Sequence, residues 1–264
     1  MQSSTQPSAP PPAYHNAIND KSLILDNICQ QYEISNFYLE KMSCLSDYEI
    51  VFLIDDSGSM KTPLSDGEHH NRWDELKHVT KIAINIATIF DDSGVDIHFL
   101  NRNGLDNVIS INQLNGIFIN EPYGRTPLTQ ITQFIFEKYY NTIKPILLVI
   151  ATDGVPTDQS GYPDIKPFMN LIKNKNDKFY ISFLACSDQD EDINYLNILD
   201  KKVKNVDTLD DYISEKREVQ SVQGKSYNYS LGDHVARLLL GPICSELDSL
   251  DETKLRNKIK CNIL

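Results

Sequence analysis

The stretch Ile50-Val51-Phe52-Leu53-Ile54-Asp55-Asp56-Ser57-Gly58-Ser59-Met60 decides how the chain is to be read. Its apolar run stops abruptly at a carboxylate, and hydroxyl residues follow at alternate positions. A run that is apolar at every position suits a strand buried on both faces, as in the middle of a parallel sheet. Open α/β sheets bind their ligands just beyond the carboxyl ends of such strands. Asp55, Ser57 and Ser59 are spaced by two in a turn loosened by Gly58. Their oxygens can therefore converge on one point, as a hard divalent cation requires. The same residues would also serve as caps on a following helix, and taken alone they leave both readings open.

Two later stretches bear on that choice. Gly124-Arg125-Thr126-Pro127-Leu128 opens a helix and presents the hydroxyl of Thr126 there. Pro145-Ile146-Leu147-Leu148-Val149-Ile150-Ala151 repeats the buried-strand pattern and ends in Thr152-Asp153-Gly154. Three loops at one edge of a sheet would then offer Asp-x-Ser-x-Ser, a Thr and an Asp. This combination resembles the metal-ion-dependent adhesion site of von Willebrand factor A domains, with every position matched in the family's order.

The resemblance implies that Ser57, Ser59 and Thr126 touch the ion directly, while Asp55 and Asp153 hold it through water. With neutral inner ligands the cation, Mg²⁺ or Mn²⁺, keeps most of its positive charge. Mg²⁺ gives up its waters reluctantly and usually shares its shell with a partner. The implied function is a docking point for an Asp or Glu of another protein, with no catalytic residue. The narrower likeness, in Asp55-Asp56-Ser57-Gly58-Ser59-Met60 with Arg72-Trp73 nearby and a closing Leu239-Leu240-Gly241, is to intracellular A-domain proteins of fungi and protists.

At 264 residues the chain has room for one sizeable domain plus tails, and its 41% apolar and 23% charged shares are those of a globular protein. A net charge of −12 leaves no basic surplus to neutralise phosphates, which argues against a nucleic-acid partner. Cys29, Cys44, Cys186, Cys244 and Cys261 are scattered without metal-ligand spacing and read as free thiols of a reducing compartment. No amino-terminal stretch looks like a secretory signal, and no run approaches about 18 apolar residues. The expected location is cytoplasmic, unlike that of the family's best-known adhesion members.

Residues 1–20 read as an extended, disordered tail rich in Pro, Ser and Gln. Pro11-Pro12-Ala13-Tyr14 resembles the Pro-Pro-x-Tyr ligand of WW domains, which occur in ubiquitin ligases. The abutting Pro7-Ser8-Ala9-Pro10 resembles the Pro-Ser/Thr-Ala-Pro motif read by endosomal-sorting proteins. Residues 21–46 carry apolar positions that fit neither period cleanly and read as one or two short helices leading into an A-like domain over 47–245. Residues 246–264 form a basic tail that ends in Cys261-Asn262-Ile263-Leu264, which fits a C-a-a-X box for prenylation at Cys261. Lys254, Arg256, Lys258 and Lys260 would add the basic patch that a single lipid needs to hold a cytoplasmic membrane face.

Within the domain, Leu76, Val79, Ala83, Ile86, Ala87 and Phe90 recur at helical spacing behind Arg72-Trp73. Val95 to Leu100 alternates as a half-buried strand, and Asn107 to Ile111 is a short candidate strand that the resemblance places antiparallel at the sheet edge. Gln113 to Asn120 suggests a helical turn; further helices are expected from Thr126 to Tyr139, Asp164 to Asn174, Leu196 to Lys202 and Leu231 to Leu240. Phe179 to Ala185 is another buried strand, Tyr212 to Ser230 a mobile loop or irregular helix, and His69-His70 part of a solvated loop with nothing to complete a metal set. Strands alternating with helices give a doubly wound, Rossmann-like α/β fold with both faces of a mostly parallel sheet covered.

Two other functions compete with metal-dependent docking. An Mg²⁺-dependent phosphohydrolase of haloacid-dehalogenase type needs a second carboxylate two residues after Asp55, where this chain has Ser57. A phosphate-cradling Gly-x-x-x-x-Gly-Lys loop is lacking too. A structural A-like domain with an empty metal site is the other alternative.

Overall fold

The fold is carried by its central strands, β4 buried at every position and β1 at all but its first. In the computed structural model, residues 13–64, 69–187 and 189–248 are described. The strands are β1 (Glu49–Ile54), β2 (Val95–Phe99), β3 (Leu105–Val108), β4 (Ile146–Thr152), β5 (Phe179–Ala185) and β6 (Val206–Leu209). They form a 6-stranded sheet in the order β3-β2-β1-β4-β5-β6, parallel throughout except for the antiparallel edge strand β3.

Alternation along β1 and β4 divides the interior in two. Ile50, Phe52, Ile54, Leu147, Val149 and Ala151 point to one face. Val51, Leu53, Ile146, Leu148 and Ile150 point to the other. Burying one such side chain contributes about 1.5–3 kcal/mol, so these two strands are the anchor of both cores. The helices are α1 (Ala13–Tyr32), α2 (Asn36–Met42), α3 (Arg72–Phe90), α4 (Leu128–Lys138), α5 (Ile165–Lys173), α6 (Asp190–Lys202), α7 (Tyr212–Gln223), α8 (Leu231–Leu240) and the short α9 (Ser245–Asp248). Helices α1, α2, α3 and α8 pack together on the first face, and α4, α5 and α6 cover the second.

Local chemistry sets the helix boundaries. Asn71 caps α3 by accepting the Asp74 amide at 2.9 Å, and Asp74 and Glu75 in its first turn complement the helix dipole. Ser230 and Asp233 form a reciprocal capping box on α8. Gly94, entering β2, has φ +85°, and a Cβ there would meet the Asn107 backbone at 2.7 Å. Only glycine fits that turn.

Several boundaries differ from expectation. The extended tail expected through residue 20 ends sooner, because α1 begins at Ala13. Tyr14 of the Pro-Pro-x-Tyr pattern thus lies in a helix, while Pro7, Ser8, Ala9, Pro10, Pro11, Pro12 and Cys261 fall outside the described residues. The lead-in expected over 21–46 is part of the domain: Ile28, Ile34, Tyr38, Met42 and Leu45 join the first core. β6 is a strand that periodicity missed, since only four residues pair and Asp207-Thr208 interrupt its apolar pattern. Tyr212 to Ser230 begins with a regular helix, α7. Its buried face carries Glu215, ion-paired to buried Arg237 of α8, and so has no hydrophobic stripe to read. Four of the cysteines, Cys29, Cys44, Cys186 and Cys244, are free thiols as expected. Among the described residues, no helix is long and apolar enough to cross a membrane.

His234 on α8 is fully buried beside Tyr212 and Tyr229, and burial, aided by the Arg237 charge, pushes its pKa down to about 3. The folded state therefore keeps this ring neutral while the unfolded chain protonates it at its ordinary value near 6.5. Stability contributed by neutral His234 is complete above the unfolded pKa and is lost as pH falls towards 3, by up to about 1.4 kcal/mol per pH unit. Urea unfolding at pH 7, 5 and 4 should show a steeper acid loss for the native chain than for His234→Phe. Parallel profiles would mean that the ring does not titrate in this way.

Candidate metal centre

The strand order reverses between β1 and β4: the chain leaves β1 for β2 on one side and β4 for β5 on the other. Loops diverging from adjacent strand ends open a crevice there, the place where doubly wound sheets bind ligands. Both Asp-bearing loops leave the sheet at this crevice. The Asp55 amide donates to the Ala151 carbonyl at 2.9 Å, which extends the β1–β4 pairing to the threshold of the site.

Asp55, Asp56, Ser57, Thr152 and Asp153 are all buried, and Ser59 is exposed at the mouth. One oxygen of Asp55 accepts the Ser57 amide at 2.8 Å, and the other accepts the Thr152 hydroxyl at 2.6 Å. The Ser57 and Ser59 hydroxyls are 3.0 Å apart, and Ser59 Oγ donates to Asp153 Oδ1 at 2.8 Å. Asp153 Oδ2 accepts from Arg72 Nη1 at 3.1 Å, both side chains being buried. Four of the five expected ligands, Asp55, Ser57, Ser59 and Asp153, thus belong to one hydrogen-bonded cluster.

Thr126 is held close by its backbone. The Gly58 amide donates to the Gly124 carbonyl at 3.1 Å, the Tyr123 amide to the Asp56 carbonyl at 2.7 Å, and the Thr126 amide to Thr157 Oγ1 at 3.1 Å. These bonds hold the Thr126 loop against the β1 loop. Among the described residues, no hydrogen bond joins the Thr126 hydroxyl to the other four. Helix α4 begins at Leu128, behind Pro127, rather than at Thr126. The fixed φ of proline suits it to a helix start.

The electrostatics are those of a site short of positive charge. Burial, reinforced by the Asp153 charge, raises the Asp55 pKa. Burial likewise raises Asp153, although hydrogen bonds from Ser59 and Arg72 work against it. Two buried carboxylates with one guanidinium, paired to Asp153, favour either a proton or a further cation. The donor set fits a hard divalent ion. Adjacent oxygens around octahedral Mg²⁺ are about 2.9 Å apart, from bonds of about 2.0–2.1 Å. The Ser57–Ser59 separation of 3.0 Å matches that edge, and the 2.8 Å bond from Ser59 to Asp153 places the carboxylate behind it.

Sequence reasoning missed three neighbours. Thr152 orients Asp55 and Arg72 orients Asp153. Asp56 has its own partners: the Asn101 amide at 2.7 Å and Arg102 Nε at 2.6 Å. Alternation past the strand end sends Asp55 and Asp56 in opposite directions, the one signal that they would play different parts.

Another acidic group, Asp96, His98 and Asp106, brings potential ligand atoms within 4.8 Å of one another. It is already satisfied. Lys138 Nζ bridges Asp96 and Asp106 at 2.9 and 2.7 Å, and Tyr139 donates to Asp96. Although burial opposes it, these bonds and the Asn107 amide hold Asp96 below its ordinary pKa.

No protein-family profile and no curated protein matches the chain.

Removing one member of a buried ion pair strands the other and costs about 3–5 kcal/mol. Arg72→Met should therefore destabilise the metal-free chain by about 3 kcal/mol. The double variant Arg72→Met/Asp153→Asn should lose clearly less than the sum of the single changes in a urea-unfolding cycle. Additive losses would show that the contact contributes no coupling.

Proposed function

We propose that the chain is a non-enzymatic, divalent-metal-dependent protein-binding module of the von Willebrand factor A type. It would grip an acidic residue of a partner through Mg²⁺ or Mn²⁺ at the crevice between β1 and β4. The observation that carries this reading is the cluster itself: Asp55 and Asp153, both buried, meet at the strand-order reversal through the hydroxyls of Ser57 and Ser59.

Ser57, Ser59 and Thr126 would hold the ion, with Asp55 and Asp153 behind them. A bound Mg²⁺ supplies an electropositive open position suited to a carboxylate. The protein's own residues do the rest. Thr152 and the Ser57 amide fix both oxygens of Asp55. Arg72 holds Asp153 at 3.1 Å and takes up part of its charge. The amino-terminal motifs would recruit a WW-domain ubiquitin ligase or an endosomal-sorting component. Prenylation of Cys261 would hold the assembly on a cytoplasmic membrane face.

The test is calorimetric titration of Mg²⁺ and Mn²⁺ in the presence of acetate or an acidic peptide to fill the open position. Saturable binding should be lost in both Asp55→Ala and Ser57→Ala, with the variants' folds checked by circular dichroism. Absence of binding to the native chain, or binding that survives both substitutions, would remove the docking mechanism.

A further inference from the structure

The loop before α3 brings a second pair of ligands together, away from the cluster on Asp55 and Asp153. His69 lies in this loop and His78 on the second turn of α3, nine residues on. His69 Nε2 and His78 Nδ1 are 3.4 Å apart, with the two rings tilted at 54°. That separation is long for a hydrogen bond, which ordinarily spans about 2.7–3.2 Å. It equals the edge of a zinc tetrahedron: Zn–N bonds of about 2.0–2.1 Å at the tetrahedral angle put neighbouring nitrogens about 3.3–3.4 Å apart. An octahedral ion with bonds of the same length would ask for about 2.9–3.0 Å.

The surroundings suit a metal as well as the distance does. The two histidines line a cavity of about 500 Å³ together with Glu75, which precedes His78 by three residues on α3. The i, i+3 spacing puts Glu75 and His78 on one face of the helix, so Glu75 borders the same cavity without joining the two imidazoles as a third ligand. The cavity has ample room for the waters that complete a coordination shell.

We infer that His69 and His78 form a zinc site, with Glu75 supplying the nearby negative charge. His70, the exposed neighbour, takes no part. The loop carrying His69 is already paired across its neck through Pro63 and Asn71. Asn71 caps α3 and Arg72 supports Asp153, so zinc here would clamp the loop to the helix that braces the other centre. The ligand set is distinct from that of the Asp55–Asp153 cluster, and the two centres can be tested separately.

The experiment uses the untagged full-length chain, stripped of metal, with zinc titrated against a chromophoric chelator and Co²⁺ added in parallel as a spectroscopic probe. With Mg²⁺ in excess to occupy the Asp55–Asp153 centre, the native chain should bind one equivalent of zinc and give the intense visible bands of tetrahedral Co²⁺. His69→Ala and His78→Gln should each weaken binding at least about tenfold, whereas His70→Ala and Asp55→Ala should leave it unchanged. His78 is exposed, so its replacement leaves the core intact. No zinc binding by the native chain would overturn the inference. So would binding that survives both His69→Ala and His78→Gln, or binding lost in Asp55→Ala.

Discussion

Two negative charges buried beside one another at the end of the central strands are the constraint on which the rest of this structure turns. Asp55 and Asp153 are buried almost completely, and burial raises the pKa of both. Asp55 accepts from a backbone amide and the Thr152 hydroxyl, and Asp153 from the Ser59 hydroxyl and the Arg72 guanidinium. Such an arrangement would be unfavourable in a domain selected for stability alone, since apolar replacements of a buried ion pair are often neutral or better. The strands tolerate it because their apolar runs anchor two cores at once, leaving a margin to be spent at the crevice.

Legibility in the sequence followed the same physics. β1, β4 and β5 were readable because burial on both faces leaves a nearly continuous apolar run, interrupted in β5 only by Ser182. Helices α3, α5 and α8 were readable from their spacing or apolar content. β6 and α7 were not, since each puts a charged residue, Asp207 or Glu215, where apolar content is the only local sign of burial. At the site, the Asp-x-Ser-x-Ser spacing and Asp153 announced themselves, as oxygen ligands in short loops do. Arg72 did not: nothing in Asn71-Arg72-Trp73 says that the first helical side chain turns inward to meet a carboxylate in the loop after β4, 81 residues away. The approach of His69 to His78 was equally hidden, because it depends on how a loop folds back along the helix it precedes.

A second organising group sits on the opposite flank. Arg102 pairs with Asp56 and donates to the carbonyls of Ile117 and Asn120 at 3.1 Å each, as well as to that of Glu121. Its guanidinium lies over the rings of Trp73, Phe99 and Tyr123. A planar, always charged group with a fork of donors is suited to tie a strand end, a helix start and a loop into one unit. The anchoring expected of Trp73 is thus shared: the indole packs on Phe118 and beneath Arg102. Through Asp56, this network holds the back of the β1 loop while Asp55 faces the crevice.

The two margins of the sheet bear on how any other chain can approach. At one, the β2–β3 ladder shifts register between Val95 and Ile97, Asn107 takes a left-handed φ of 54°, and Asp106 and Asn107 stand exposed. At the other, β6 is short and its Val206, Asp207 and Leu209 are buried. A kinked, polar border and a brief, sheltered one both discourage β-augmentation, in which a foreign peptide extends the sheet through main-chain bonds. Recognition is thereby displaced from the backbone to side chains, and selectivity among partners becomes a question of loop and helix chemistry.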